Sequence, residues 1–124
     1  MVVTTEKASS GYLAHLRKVG ISYLICGREK IDLKSAMKKL KSKFKLEKLL
    51  LEGGGVLNGG MLQAGLVDEI SQLIIPIVDG GGPTVIGFFD TPGKASKNAA
   101  SGLKLISQKT LQGGTQWLRY EVKS

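Results

Sequence analysis

The sequence predicts an α/β fold with a mostly parallel sheet and an antiparallel C-terminal hairpin. Three observations carry that expectation. Short β-branched runs alternate with amphipathic stretches through the first two-thirds of the chain, the pattern of strand–helix–strand units. Two extended runs near the C-terminus are then joined across Gly113-Gly114, as a hairpin requires. The 124 residues, 42% hydrophobic and 23% charged, suffice for one domain with a packed core. Residues 1–124 show no internal repeat and no domain boundary.

Val2–Thr4 is a strand by composition. Ser9 or Ser10 caps a helix that carries Tyr12, Leu13, Leu16 and Val19 inward, and Gly20 closes it. Ser22–Cys26 is a second buried strand, ended by Gly27. Asp32 caps the next helix, in which Leu33, Met37, Leu40 and Phe44 recur at spacings of four, three and four. Seven of the 15 lysines fall between Lys34 and Lys48 and form the solvated face of that helix. Lys48–Glu52 reads as a third apolar strand running into Gly53-Gly54-Gly55. A short helix follows with Leu57, Met61 and Leu62 on one face and Gly65 as its stop, then a strand over Glu69–Ile75 ended by Pro76. Asp79–Gly102 reads as loops with a short element near Thr84–Phe88. Leu103–Leu111 and Gln116–Val122 form the hairpin, with Leu118, Tyr120 and Val122 alternating with Trp117, Arg119 and Glu121.

The net charge of +8 can steer anions toward the surface, but no stacking aromatics interleave with the helical lysines. A nucleic-acid binder therefore rests on charge alone, and no nucleic-acid partner is expected. The single Cys26 excludes an internal disulfide and a multi-thiolate metal site. With His15 as the one histidine, on a helix where a surface or packing role suffices, no metal is expected. No apolar run has the length of a membrane span, and no charged start precedes a long apolar stretch. A cytoplasmic protein without a membrane partner is the expectation.

Chemistry concentrates in Leu49–Glu69, LLLEGGGVLNGGMLQAGLVDE. Glycines open a helix there, and a helix start leaves several N–H groups without internal partners and adds partial positive charge. Without Cβ atoms, a phosphate can come close to those N–H groups. The segment is neither the spaced G-x-G-x-x-G fingerprint nor the phosphate loop ending in Gly-Lys-Ser/Thr. A tight strand-to-helix turn is the competing reading. Glu52, at the carboxyl end of an expected central strand, could accept hydrogen bonds from ligand hydroxyls or be a solvated carboxylate.

Leu51-Glu52-Gly53-Gly54-Gly55, Leu57-Asn58-Gly59 and Ala64-Gly65-Leu66-Val67-Asp68-Glu69 together resemble the signature of the riboflavin-biosynthesis reductases. That family forms the C-terminal reductase domain of a bifunctional deaminase/reductase and also stands alone. Val2-Val3-Thr4-Thr5, Ile31-Asp32-Leu33, and Ile75-Pro76 before Gly80-Gly81-Gly82 extend the resemblance along the chain in order. It implies a three-layer, dihydrofolate-reductase-like fold. It also implies NADPH-dependent reduction of the ribosyl group of a 5-amino-6-(phosphoribosylamino)pyrimidine to ribityl. On this resemblance Gly53, Gly54, Gly55, Val56, Leu57, Asn58, Gly59 and Gly60 bind NADPH, Glu52 contacts the substrate ribosyl group, and Cys26 and Gly27 line the cofactor site. The competing reading of Cys26 is a buried strand thiol, and Arg28 is a weak candidate for a 2′-phosphate. Gly80–Gly82 match a family loop read as structural. No catalytic acid stands out. The family begins upstream of Val2 with a Ser-x-Asp-Gly-type strand and a Gly-Arg-x-Thr segment, so the domain is expected to be incomplete at the N-terminus. An exposed sheet edge and a homodimer follow from that expectation. The alternative is a catalytically incomplete cofactor- or phosphate-binding fragment of such a reductase.

Overall fold

The computed structural model describes residues 1–78, 80–81, 88–90 and 101–123. The chain divides into two compact units, Met1–Leu50 and Leu51–Ser124.

The first unit runs β1 (Val2–Thr4), α1 (Ser10–Lys18), β2 (Tyr23–Ile25), α2 (Leu33–Phe44). β1 and β2 pair in parallel, Val2 opposite Tyr23 and Thr4 opposite Ile25, the pairing that a helical crossover makes possible. The Ser9 side chain accepts the Tyr12 N–H at 3.1 Å, satisfying one of the free donors at the start of α1. α1 closes through paired bonds from Gly20 N–H to the Arg17 carbonyl and from Ile21 N–H to the Leu16 carbonyl. Asp32 caps α2, its Oδ1 accepting the Ser35 N–H at 2.9 Å. α2 lays Ala36 and Leu40 on Leu24 and Cys26, with Val3 and Met37 packed around them. Lys39 turns back from the helix, its Nζ donating to the Ile25 carbonyl at 2.5 Å.

Three side chains expected inward, Tyr12, Val19 and Phe44, are exposed. A sheet of two three-residue strands is narrower than the apolar stripes of its helices, so the residues flanking Leu16 and Leu40 stay in water. The expected strand over Lys48–Glu52 does not form. Among the described residues its backbone makes no hydrogen bond, and Leu50 is 81% exposed. Apolar composition favours extension, but a strand exists only where a neighbour offers a ladder, and among the described residues β1 and β2 pair only with each other.

The second unit holds α3 (Gly55–Gln63), β3 (Glu69–Ile74), β4 (Gly102–Thr110) and β5 (Gln116–Lys123). The strands lie in the order β3-β5-β4, and both pairings are antiparallel. The hairpin forms as expected, with an irregularity between Leu105 and Ser107 that shifts the register. β3, expected in the parallel part of the fold, instead runs antiparallel to β5, because β5 returns from its turn between β3 and β4. Among the described residues parallel pairing is thus confined to β1 and β2, and the fold is α/β with a parallel and an antiparallel sheet there.

Polar contacts pin this register. Arg119 donates through Nε and Nη2 to the two Glu69 carboxylate oxygens at 2.7 and 2.9 Å, and that carboxylate holds the guanidinium above its ordinary range. Trp117 Nε1 donates to Ser71 Oγ at 2.9 Å. Met61 of α3 and Ile70 of β3 are buried, whereas Leu73, Ile74, Ile75, Leu103, Leu105 and Ile106 are exposed. The element expected near Thr84–Phe88 falls, apart from Phe88, outside the described residues, as does Gly82. No helix among the described residues is long and apolar enough to cross a membrane.

Candidate functional site

The glycine turn Gly53–Gly55 opens α3. Gly54 occupies the N-cap position with φ −67° and ψ 170°, and no side chain caps the helix. The first helical bond runs from the Asn58 N–H to the Gly54 carbonyl at 3.1 Å, so the N–H groups of Gly55, Val56 and Leu57 have no partner within the helix. A Cβ built at Gly54 meets nothing within 4 Å, and Gly54, Val56 and Leu57 are exposed. The start of α3 is therefore an open set of main-chain donors carrying the positive end of the helix dipole.

The neighbouring glycines serve other ends. A Cβ at Gly53 would lie 2.6 Å from Leu57 Cδ2, so glycine there lets the Leu57 side chain fold back over the turn. Gly59 is buried and Gly60 half-buried on the inner side of the helix. Gly65 stops α3 with φ +67°. Its N–H bonds the Leu62 carbonyl while the Leu66 N–H bonds the Met61 carbonyl, the two-bond closure that favours a left-handed residue.

Asn58 differs from the rest of the turn. It is 6% exposed, the one buried polar residue among those described. Its Nδ2 donates to the Phe88 carbonyl at 3.1 Å, and the Asp90 N–H donates to the Gly55 carbonyl at 2.8 Å. A short strip, Phe88–Asp90, thus lies against the first turns of α3. Sequence reasoning missed this strip, because a contact between residues 30 apart leaves no local signature.

Glu52 is exposed and makes no hydrogen bond or ion pair among the described residues. It lies on irregular backbone rather than at a strand end. Cys26 is a buried thiol that follows β2. It is 0% exposed within the α2–β2 core, its N–H bonded to the Thr4 carbonyl and its carbonyl to the Asp32 N–H. Gly27 serves the turn after β2: its φ is +96°, and a Cβ there would collide with the Lys30 carbonyl oxygen. Arg28 pairs with Glu6 at 3.6 Å and Lys7 with Glu29. His15 sits on the exposed side of α1.

The model of the RibD C-terminal domain family matches residues 1–118. The chain belongs to this family. Among curated proteins, this RibD C-terminal domain is 36% identical over 81 residues to the 2,5-diamino-6-ribosylamino-4(3H)-pyrimidinone 5′-phosphate reductase of Methanothermobacter thermautotrophicus, an alignment covering 65% of this chain and 37% of that protein. It is 28% identical over 89 residues to the reductase of the same name from Aquifex aeolicus, covering 70% of this chain and 39% of that protein. The chain therefore spans less than half the length of these relatives. Among solved structures, a pyrimidine reductase-like protein from Corynebacterium diphtheriae superposes with a TM-score of 0.78 at 21% identity, over 99% of this chain and 49% of that one. Acinetobacter baumannii RibD superposes at 0.73 and 20% identity, over 98% and 31%. These likenesses show that the chain shares its fold with those two proteins.

Proposed function

We propose that the chain is the reductase domain of a riboflavin-pathway enzyme. The reaction is the NADPH-dependent reduction of the ribosyl group of a 5-amino-6-(phosphoribosylamino)pyrimidine, or of its 2,5-diamino counterpart, to ribityl. The uncapped start of α3 carries this reading, since exposed main-chain donors at a helix N-terminus suit a pyrophosphate and, among the described residues, no side chain competes for them. Gly53–Gly60 would hold NADPH, with the pyrophosphate on the N–H groups of Gly55, Val56 and Leu57. When bound, NADPH supplies the hydride. The chain's own contribution is to bind and orient: α3 fixes the anionic middle of the cofactor, and the exposed Glu52 accepts hydrogen bonds from the ribosyl hydroxyls.

The exposed apolar residues of β3 and β4 support self-association as a homodimer. A cytoplasmic setting accords with the free thiol of Cys26. Titrating the full chain with NADPH, then following NADPH absorbance after adding each phosphorylated pyrimidine, tests the proposal. Saturable binding followed by substrate-dependent oxidation is the expected result. Binding without oxidation restricts the chain to a cofactor-binding module, and absence of binding overturns the reading.

A further inference from the structure

Asn58 is oddly chosen for stability. Its Oδ1 is buried and has no hydrogen-bond partner among the described residues, while its Nδ2 donates to the Phe88 carbonyl. A buried acceptor without a donor destabilises a fold, and an apolar residue of the same shape is often neutral or better at such a position. Orphaned buried groups of this kind ask for a functional explanation. The amide sits one turn from the open donors of α3, and what it grips is the strip that also reaches Gly55 through the Asp90 N–H. One face of α3 is thereby tied to the strip by Asn58 and Gly55, and the helix start next to Gly55 is left for a ligand.

We infer that Asn58 is a positioning residue. Its side chain fastens Phe88–Asp90 to the first turns of α3, so that anion binding at the helix start and ordering of the strip reinforce each other. The inference deepens the nucleotide reading and rests on it. A ligand that pulls on the N–H groups of Gly55–Leu57 settles the first turn, and the settled Gly55 carbonyl is a better acceptor for Asp90. Without the Asn58 grip the strip is released and part of this mutual support is lost. Asn58 touches no reacting atom in this scheme; it acts through the strip.

The test is amide hydrogen exchange of the full chain with and without NADPH, in the native sequence and in Asn58→Leu. Leucine keeps the branched heavy-atom skeleton, adds no charge, and removes the orphaned acceptor together with the grip. In the native chain NADPH is expected to slow exchange at Asp90. In Asn58→Leu, exchange at Asp90 should rise roughly 2- to 12-fold, the range that loss of one hydrogen bond predicts. NADPH should bind more weakly by a similar factor, while the melting temperature holds or rises. A merely structural Asn58 would instead lower the melting temperature and leave the affinity of the folded fraction alone. Unchanged exchange at Asp90 in the folded variant overturns the inference, and so does faster exchange with unchanged NADPH affinity. If the native chain binds no NADPH, the nucleotide reading has failed and the positioning role falls with it, whereas faster exchange in the variant still shows that the grip exists. Should Asn58→Leu not fold, Asp90→Pro, which removes the other bond from outside the helix, decides by NADPH affinity and by exchange at Phe89.

Discussion

Gly54→Asp separates the stability of α3 from its capacity to bind an anion, because the two respond in opposite directions. Gly54 has the extended backbone of an N-cap, φ −67° and ψ 170°, which any residue adopts, and its Cβ would meet nothing within 4 Å. Aspartate is among the best N-cap residues and glycine only slightly worse, so the side chain adds a few tenths of a kcal/mol through a hydrogen bond to the first turn. Its charge at the positive end of the helix adds about 0.3–1 kcal/mol. The variant should therefore be as stable as the native chain or about 1 kcal/mol more so. For a bound pyrophosphate the sign reverses. A carboxylate about 5 Å from a phosphate charge at an effective dielectric constant near 20 costs about 3 kcal/mol, roughly 100-fold in affinity, and the same carboxylate occupies the donors. Thermal melting together with NADPH titration at low and moderate salt measures both effects. Salt should recover part of the lost affinity by screening the repulsion. A folded Gly54→Asp that binds NADPH as the native chain does would refute the placement of the pyrophosphate. A marked loss of stability would refute the assignment of Gly54 as an open N-cap.

Three further outcomes follow from the same geometry. Gly65→Val should lower stability by about 1–2 kcal/mol, because the left-handed φ of +67° disfavours a side chain, and a β-branched one most; an unchanged melting temperature would count against the closure of α3 described above. Gly53→Ala should cost about 1 kcal/mol by pushing its Cβ against Leu57, only 2.6 Å away, and most of that cost should vanish in the Gly53→Ala/Leu57→Ala double variant, a coupling that a double-mutant cycle reads directly. Cys26, 0% exposed, should resist thiol reagents in the native chain, react once the chain is unfolded, and gain no protection from NADPH; rapid labelling of the native protein would contradict its place in the core.

What the sequence could reveal depended on how local each cause is. The caps of α1 and α2 were legible because Ser9 and Asp32 bond to N–H groups three residues ahead, within reach of a short reading window. The stop at Gly65 was legible because positive φ is a property of one residue. The strand over Lys48–Glu52 was misread for the opposite reason. Its leucines state a preference for burial, but pairing depends on a second stretch of chain, and among the described residues none offers the segment a ladder. β3 is legible as a strand, but nothing in Glu69–Ile74 itself says that β5 will lie beside it in antiparallel register.

The candidate site divides along the same line. The open helix start follows from three consecutive glycines and the geometry of a helix terminus, both readable from Gly53–Gly55 alone. The burial of Asn58 and its hold on Phe88 depend on a loop that returns 30 residues later, and they turn the turn from an exposed set of donors into one with a tethered wall. The glycines alone provide charge complementarity for any small anion, which gives affinity with little discrimination. Discrimination for an extended dinucleotide needs a further surface held at a fixed distance from the donors. Among the described residues, the strip tethered through Asn58 and Gly55 is placed to supply one.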